Sequence, residues 1–434
     1  MNLIEKDELY IWHPYTHQKD RLPPILVMKG KKALLYDEAG NSFIDGISSW
    51  WVTIHGHGNK FIAKKIYKQA KKLEQVIFAG FTHAPAVELG EKLLKVLPGD
   101  FSKIFYSDNG STATEVALKM ALQYWINNGN KERNKILAFH NSYHGDTFGA
   151  MSISERGTYT LAFRDKLFEV IFIDAPTDDN LDSIKSSIEK YKNEIACFIY
   201  EPLLQGAGGM KMYEPTHLDT LLSFLKREEV ICIADEVLTG FYRTGNFFAG
   251  DYLIEKADII CLSKALTGGT MAMGVTACTR RVYDSFVSDD KTKTLFHGHS
   301  FTANPLACSA ALASLQLIQK KKCQKRVEQI VIAQKSFAER LEKFFGKSNG
   351  TLQDSIKNIR HLGTIMAFEI HTPESDGYLH NISAEFTKFC LERNVYLRSL
   401  GNTVYIMPPY CIKRKELKKI YKVVEEFLKT IVKD

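Results

Sequence analysis

A chain of 434 residues exceeds what one hydrophobic core usually supports, so two or more lobes are expected. A composition of 45% hydrophobic and 25% charged residues is that of an ordinary soluble globular protein, with no internal repeat or low-complexity segment. The formal charge of +7 comes from scattered lysines whose densest runs, KKCQKR (321–326) and KRKELKK (413–419), read as solvated helix faces, so nucleic acid is not an expected partner.

The eight cysteines contain no C-x-x-C pair, which argues against a zinc site or a redox dithiol; no metal is expected. Cys197, Cys232, Cys261 and Cys278 sit inside apolar runs, as small buried hydrophobes of a reducing compartment do. No apolar run is long enough to span a bilayer, and the opening MNLIEKDELYIWHPYT carries acidic residues without the apolar core of a signal peptide. The expectation is a cytoplasmic protein without membrane association.

In chain order, residues 33–48 alternate apolar and polar around an AGN turn, which predicts a hairpin in a small N-terminal lobe. From about residue 60, short apolar runs alternate with helical stretches: KIFYS (103–107), a helix over 113–125, KILAF (135–139), EVIFI (169–173), ACFIYEP (196–202), VICIADE (230–236), DIICLSK (258–264) and GVTACT (274–279). Such runs predict a mostly parallel sheet covered on both faces, in a large domain spanning 60–325. Beyond it come a helix over 327–345, a strand at 363–370, a helix over 384–393, the strands VYLRS and TVYIMPP, and a lysine-rich closing helix. These predict a smaller α+β domain over 326–434, joined by the N-terminal segment 1–59.

Ligands of open α/β sheets gather beyond the carboxyl ends of the strands, and three strand ends here carry polar groups. FYSDNGSTATE (105–115) runs into a helix through Asn109, Gly110, Ser111 and Thr112, whose N–H groups and dipole suit a phosphate; with Glu115 the same residues read equally as a helix cap. ICIADEVLTGFYRTG ends a strand on Asp235 and Glu236, readable as a functional carboxylate, a cap or a partner of Arg243. ICLSKALTGG places Lys264 where a charged amine is costly unless neutralised, though a snorkelling lysine is the alternative. Nucleotide loops are missing: there is no G-x-x-x-x-G-K-[ST], and QGAGGMK (205–211) has Lys211 in the third glycine position.

Together, a phosphate cradle, a strand-end carboxylate and a strand-end lysine are the groups that pyridoxal 5'-phosphate requires. The lysine, its pKa lowered, condenses with the aldehyde and moves a proton at the substrate Cα, and the carboxylate keeps the ring nitrogen protonated.

The order GST (110–112), YHGD (143–146), EP (201–202), ADE (234–236) with GFYRTG, SKALTGG and HGHSFTANPL (297–306) resembles the class III, subgroup II aminotransferases over almost the whole chain. IWHPYT (11–16), DGISSWWVTIHGH (45–57), THAPA (82–86), ALKMALQYW (117–125), NSYHGDTFGAMS (141–152), QGAGGM, KALTGGTMA and IMPPY (406–410) are similar to the members that serve biotin biosynthesis. The resemblance implies an α/β protein of pyridoxal phosphate fold type I, acting as a homodimer with composite active sites. It implies Lys264 as the cofactor-bearing lysine, Asp235 as partner of the ring nitrogen, Gly110 and Ser111 at the phosphate, Tyr143 on the ring, and Ser300 at the phosphate of the neighbouring subunit. Tyr15, Trp50, Trp51, Tyr143, Asp146 and Gly298 are implied at the substrate, with Tyr15 also in the catalytic set, and Arg398 at the substrate carboxylate. The implied reaction moves an amino group from S-adenosylmethionine to 8-amino-7-oxononanoate. Lysine as donor, or an ω-amino acid such as ornithine or 4-aminobutyrate, is the alternative within the family; a non-catalytic binding protein is the alternative outside it. Two departures from the pattern stand out: Asn109 where a serine is common, and His299-Ser300 where some relatives have Pro-Thr.

Overall fold

Seven strands, the inner ones buried on both faces and the two edge strands partly exposed, form the centre of the molecule: β1 (Phe101–Ser107), β2 (Lys135–Phe139), β3 (Ile171–Ile173), β4 (Ile195–Tyr200), β5 (Ile231–Asp235), β6 (Ile259–Leu262) and β7 (Gly274–Thr279). The computed structural model describes residues 1–19, 21, 23–345, 356–371 and 382–431. In space the strands run β1-β7-β6-β5-β4-β2-β3. β7 is antiparallel to both neighbours and the other four pairings are parallel, so the sheet is mostly parallel as expected.

Period-two alternation divides each buried strand between two cores. On one face Phe198, Tyr200, Cys232, Ala234, Ile260 and Leu262 meet Leu218, Leu222 and Leu225 of the helix Pro215–Arg227. On the other, Cys197, Ile199, Ile231, Ile233 and Ile259 meet Ala113, Val116, Ala117 and Met120 of the helix Gly110–Asn127. That helix starts three residues before its expected position because Asn109 caps it: the Asn109 side chain accepts from the Thr112 N–H, and the Thr112 hydroxyl accepts from the Asn109 N–H. Glu115 takes no part in the cap; it accepts instead from the Thr147 hydroxyl and the Ala150 N–H.

A further core joins the two ends of the chain. Phe337 and Leu341 of the helix Lys321–Phe345, and Leu417, Ile420, Val424 and Phe427 of the closing helix Arg414–Ile431, pack on Met366 and Phe368 together with Ile44 and Ile47. The predicted hairpin is present as Leu34–Asp37 and Ser42–Asp45, and its second strand pairs in parallel with Val395–Tyr396. Only those two residues of VYLRS are strand. Four strands went unforeseen: Val27–Lys31 and Ile356–Leu362, which are mostly exposed or half-buried and lack an apolar alternation, and the two-residue pair Leu204–Gln205 and Lys211–Met212, too short to show a period. Among the described residues, no helix is long and apolar enough to cross a membrane.

The chain passes β1 and β7 closely where the capped helix begins. A Cβ on Gly274 would overlap the Asn109 carbonyl and the Ser107 hydroxyl. Gly274→Ala is therefore expected to cost about 1–3 kcal/mol of stability. A urea midpoint equal to that of the parent chain would show that the junction yields instead.

Candidate active site

The carboxyl ends of the parallel strands supply one cavity of about 470 Å³. Beyond β1 come Asp108, Asn109, Gly110 and Ser111; beyond β2, Tyr143 and His144; beyond β4, Glu201; at the end of β5, Asp235; beyond β6, Ser263 and Lys264. All line the same space, which is the placement that a doubly wound sheet gives its ligands. The groups expected to serve a phosphate, a ring nitrogen and a carbonyl thus come together.

Each is held by neighbours. The cap on Asn109 engages the Thr112 N–H and leaves the first N–H groups of the helix, at Gly110 and Ser111, beside the cavity. Asn109 in place of a serine is thereby accounted for: its side chain serves the helix. The Ser111 hydroxyl accepts from the Asp146 N–H at 3.2 Å. This approach requires Gly145, which has a φ of 133° and leaves room for Ser111 where a Cβ would collide with it.

Asp235 is not a helix cap and does not pair with Arg243. One oxygen lies 2.7 Å from Nδ1 of the fully buried His144, and the other accepts from the Val237 N–H at 3.0 Å. The neighbouring Glu236 takes the structural part, accepting from Thr239, Ala249 and Gly250. Arg243 donates to the carbonyls of Trp51 and Pro408.

Lys264 has a φ of 40°, in the left-handed region, and its Nζ lies 4.7 Å from the centre of the Trp51 ring. Burial holds its amine below the ordinary lysine range, against the opposing pull of Asp235 and Glu201. Glu201 accepts from the N–H groups of Tyr143 and Gly206, yet burial pushes its carboxyl up to about 7.

A second cavity of about 280 Å³ adjoins the first and shares Trp51, Tyr143 and Lys264 with it. The Tyr15 hydroxyl donates to Asp146 at 2.6 Å and lies 3.3 Å from the Tyr143 hydroxyl. Burial and these neighbours push the Tyr143 phenol far up, so it stays protonated. Tyr15 makes edge contacts with Trp50 and Tyr159, at 5.5 and 5.8 Å. Arg398 stands at the rim, its guanidinium 5.3 Å from the Trp50 ring and within 3.5 Å of the Tyr15 carbonyl. Tyr15, Trp50, Trp51, Tyr143, Asp146 and Arg398 therefore share one chamber. Gly298 and Ser300 do not reach it: they lie on the segment before the helix Pro305–Ile318, where the Ser300 carbonyl accepts from Gln75.

Three residues of the site had been given no role. His144 and Glu201 lie inside YHGD and EP and could have been singled out as titratable groups just past buried strands. Tyr159, in a short 3₁₀ segment, carries no sequence signal.

The aminotransferase class-III family matches residues 15–428. The chain is 41% identical to the adenosylmethionine-8-amino-7-oxononanoate aminotransferase of Synechococcus elongatus, over 97% of this chain and 99% of that one. It is 33% identical to the protein of that name from Staphylococcus aureus, over 99% and 98%. The crystal structure of the Methanocaldococcus jannaschii protein of that name superposes with a TM-score of 0.90 at 32% identity, covering 98% of each chain. The chain belongs to the class-III aminotransferases, enzymes that work with pyridoxal 5'-phosphate. The inner cavity fits that cofactor: a helix start with N–H groups at its edge, a buried carboxylate, a lysine of lowered pKa, and a buried His144 Nε2 that has no partner among the described residues.

The buried Glu201 generates a prediction about stability. Its carboxyl holds a proton more tightly in the folded chain, to about pH 7, than at its ordinary value of 4.5. Its contribution is therefore full below about 4.5 and is lost as pH rises through 7. Glu201→Gln cannot titrate, so the cofactor-free variant is expected to gain stability relative to the parent chain between pH 4.5 and 7. Parallel urea curves with a constant offset over that range would refute the assignment.

Proposed function

We propose that this chain moves the amino group of S-adenosylmethionine to the keto group of 8-amino-7-oxononanoate, forming a diamine, as the names of its Synechococcus and Methanocaldococcus relatives describe for those proteins. The observation that carries the choice of donor is the outer chamber, walled by Tyr15, Trp50, Tyr143 and Tyr159. An adenine needs flat aromatic surface, and a sulfonium over a ring gains about 0.5–2 kcal/mol. Lysine would leave much of that wall unused.

When bound, pyridoxal 5'-phosphate supplies a carbonyl carbon that takes up the amino nitrogen and a ring that accepts electrons as the Cα–H bond breaks. In this reading Gly110 and Ser111 hold its phosphate through the helix start, and Tyr143 lies against its ring. Asp235, oriented by His144 and the Val237 N–H, pairs with the ring nitrogen. The Lys264 amine, deprotonated more readily than an ordinary lysine, takes the proton from the substrate Cα at Nζ and later returns it. Trp51 covers that amine and limits access of water. Arg398 offers a two-pronged donor to a substrate carboxylate. Tyr15 and Asp146 fix the Tyr143 hydroxyl at the boundary of the two chambers.

The active unit in this reading is a homodimer with composite sites. Gly298 and Ser300 line neither chamber of their own chain, and Phe296 and Phe301 beside them are 73% and 61% exposed, an apolar surface that a second copy would cover.

Two experiments test the reading. Borohydride reduction of the loaded enzyme should fix the cofactor on the peptide carrying Lys264, and Lys264→Ala should abolish turnover while retaining non-covalent cofactor; label on another lysine would overturn the assignment. In single-turnover absorbance measurements, S-adenosylmethionine should convert the bound cofactor to its amine form faster than lysine at equal concentration. A faster reaction with lysine would mean that the aromatic wall does not select the donor.

A further inference from the structure

Asp45 to His57 carries both tryptophans of the site in a backbone that is strained by itself. Ser48, Ser49 and Trp51 have φ of 54°, 61° and 71°, a left-handed run that side chains rarely adopt and that persists only where the surroundings over-determine it. The surroundings here are two buried charges. Asp45 is fully buried; its Oδ1 accepts from the Ile47 N–H at 3.1 Å, and its Oδ2 accepts from the Ser49 N–H at 2.8 Å and from Nε2 of His57 at 2.8 Å. His57 is itself pinned, exchanging backbone hydrogen bonds with Lys32 while its ring occupies the space that a side chain at Gly30 would need.

On the carbonyl side, the fully buried Arg243 donates to Trp51 O at 3.0 Å and to Pro408 O at 3.2 Å. Its guanidinium lies within the electrostatic reach of Asp45. N–H groups of the run thus face a buried anion, and one of its carbonyls faces a buried cation. Two further bonds tie the run down: the Ser48 hydroxyl donates to the Met407 carbonyl and the Trp51 indole to the Tyr405 hydroxyl. Asp45, His57 and Arg243 line neither chamber of the site. Burying charged groups is costly even when they find partners, so their placement calls for a reason beyond filling space.

We propose that Asp45, anchored by His57 and opposed by Arg243, is a positioning group that holds Trp50 as the wall of the outer chamber and Trp51 over Lys264, and so sets how the enzyme accepts its amino donor. The identity of that donor rests on the functional reading above; the clamp does not.

The test uses the full-length, cofactor-loaded enzyme and three variants: Asp45→Ala, His57→Ala and His57→Gln, whose amide can still donate to Asp45. Asp45→Ala is expected to lower kcat/KM for the amino donor about 10- to 100-fold, mainly through KM, with cofactor affinity and absorbance unchanged. Hydrogen exchange should quicken in the peptide covering 45–57 and not in the central sheet. His57→Ala should show the same signature more weakly, and His57→Gln should restore most of it. The inference is overturned if KM and local exchange in Asp45→Ala match the parent. It is equally overturned if exchange rises throughout and cofactor is lost, or if His57→Gln fares no better than His57→Ala. Should Asp45→Ala not accumulate as a folded protein, the His57 pair decides alone. If the parent enzyme fails to use S-adenosylmethionine, the functional reading falls, while the exchange comparison still decides the clamp.

Discussion

The constraint on which the site depends is the removal of the Lys264 amine from water at the carboxyl edge of a sheet. Desolvation pulls its pKa down, and Asp235 and Glu201 pull it back. An amine in that balance gives up its proton more readily than a solvated lysine does. The sheet makes the balance possible, because parallel strands buried on both faces bring their polar ends to one edge and surround them with apolar walls.

Around that amine the polar groups fall into two sorts. Asp235, His144, Glu201 and the Tyr15–Asp146–Tyr143 set face the two chambers. Glu236, Asp45 and Arg243 are fully buried and are spent mainly on backbone N–H and carbonyl groups: Asp45 and Arg243 hold the segment that carries Trp50 and Trp51, and Glu236 the loop that follows β5. The division explains why ADE contains two adjacent carboxylates with different work. Asp235 ends the strand beside the cavity, whereas Glu236 turns away to organise residues 239–250.

The aromatic chamber shows how a site is shared between distant parts of a chain. Tyr15 and Trp50 come from the N-terminal segment, Tyr143 and Tyr159 from the loops after β2, and Arg398 from beyond the short strand Val395–Tyr396. The parallel pairing of Ser42–Asp45 with Val395–Tyr396 brings the first and last of these together. The carboxyl-terminal core, which includes Ile44 and Ile47, holds them there.

Local pattern alone determined the mostly parallel sheet, the helix that follows β1 and the three polar strand ends, because apolar runs of strand length and a polar residue terminating such a run are properties of a few consecutive residues. Polar edge strands such as Ile356–Leu362 were not legible, since their pairing depends on a neighbour rather than on their own apolar pattern. Nor were the partners of the buried charges. Arg243 sits eight residues after Asp235 and reads as its counter-ion, yet the fold turns it toward carbonyls at Trp51 and Pro408, while Asp235 takes His144, 91 positions away. Which donor meets which acceptor is settled by packing across the sheet edge, where burial favours pairing of polar groups and sequence distance has no bearing on which one lies within about 3 Å.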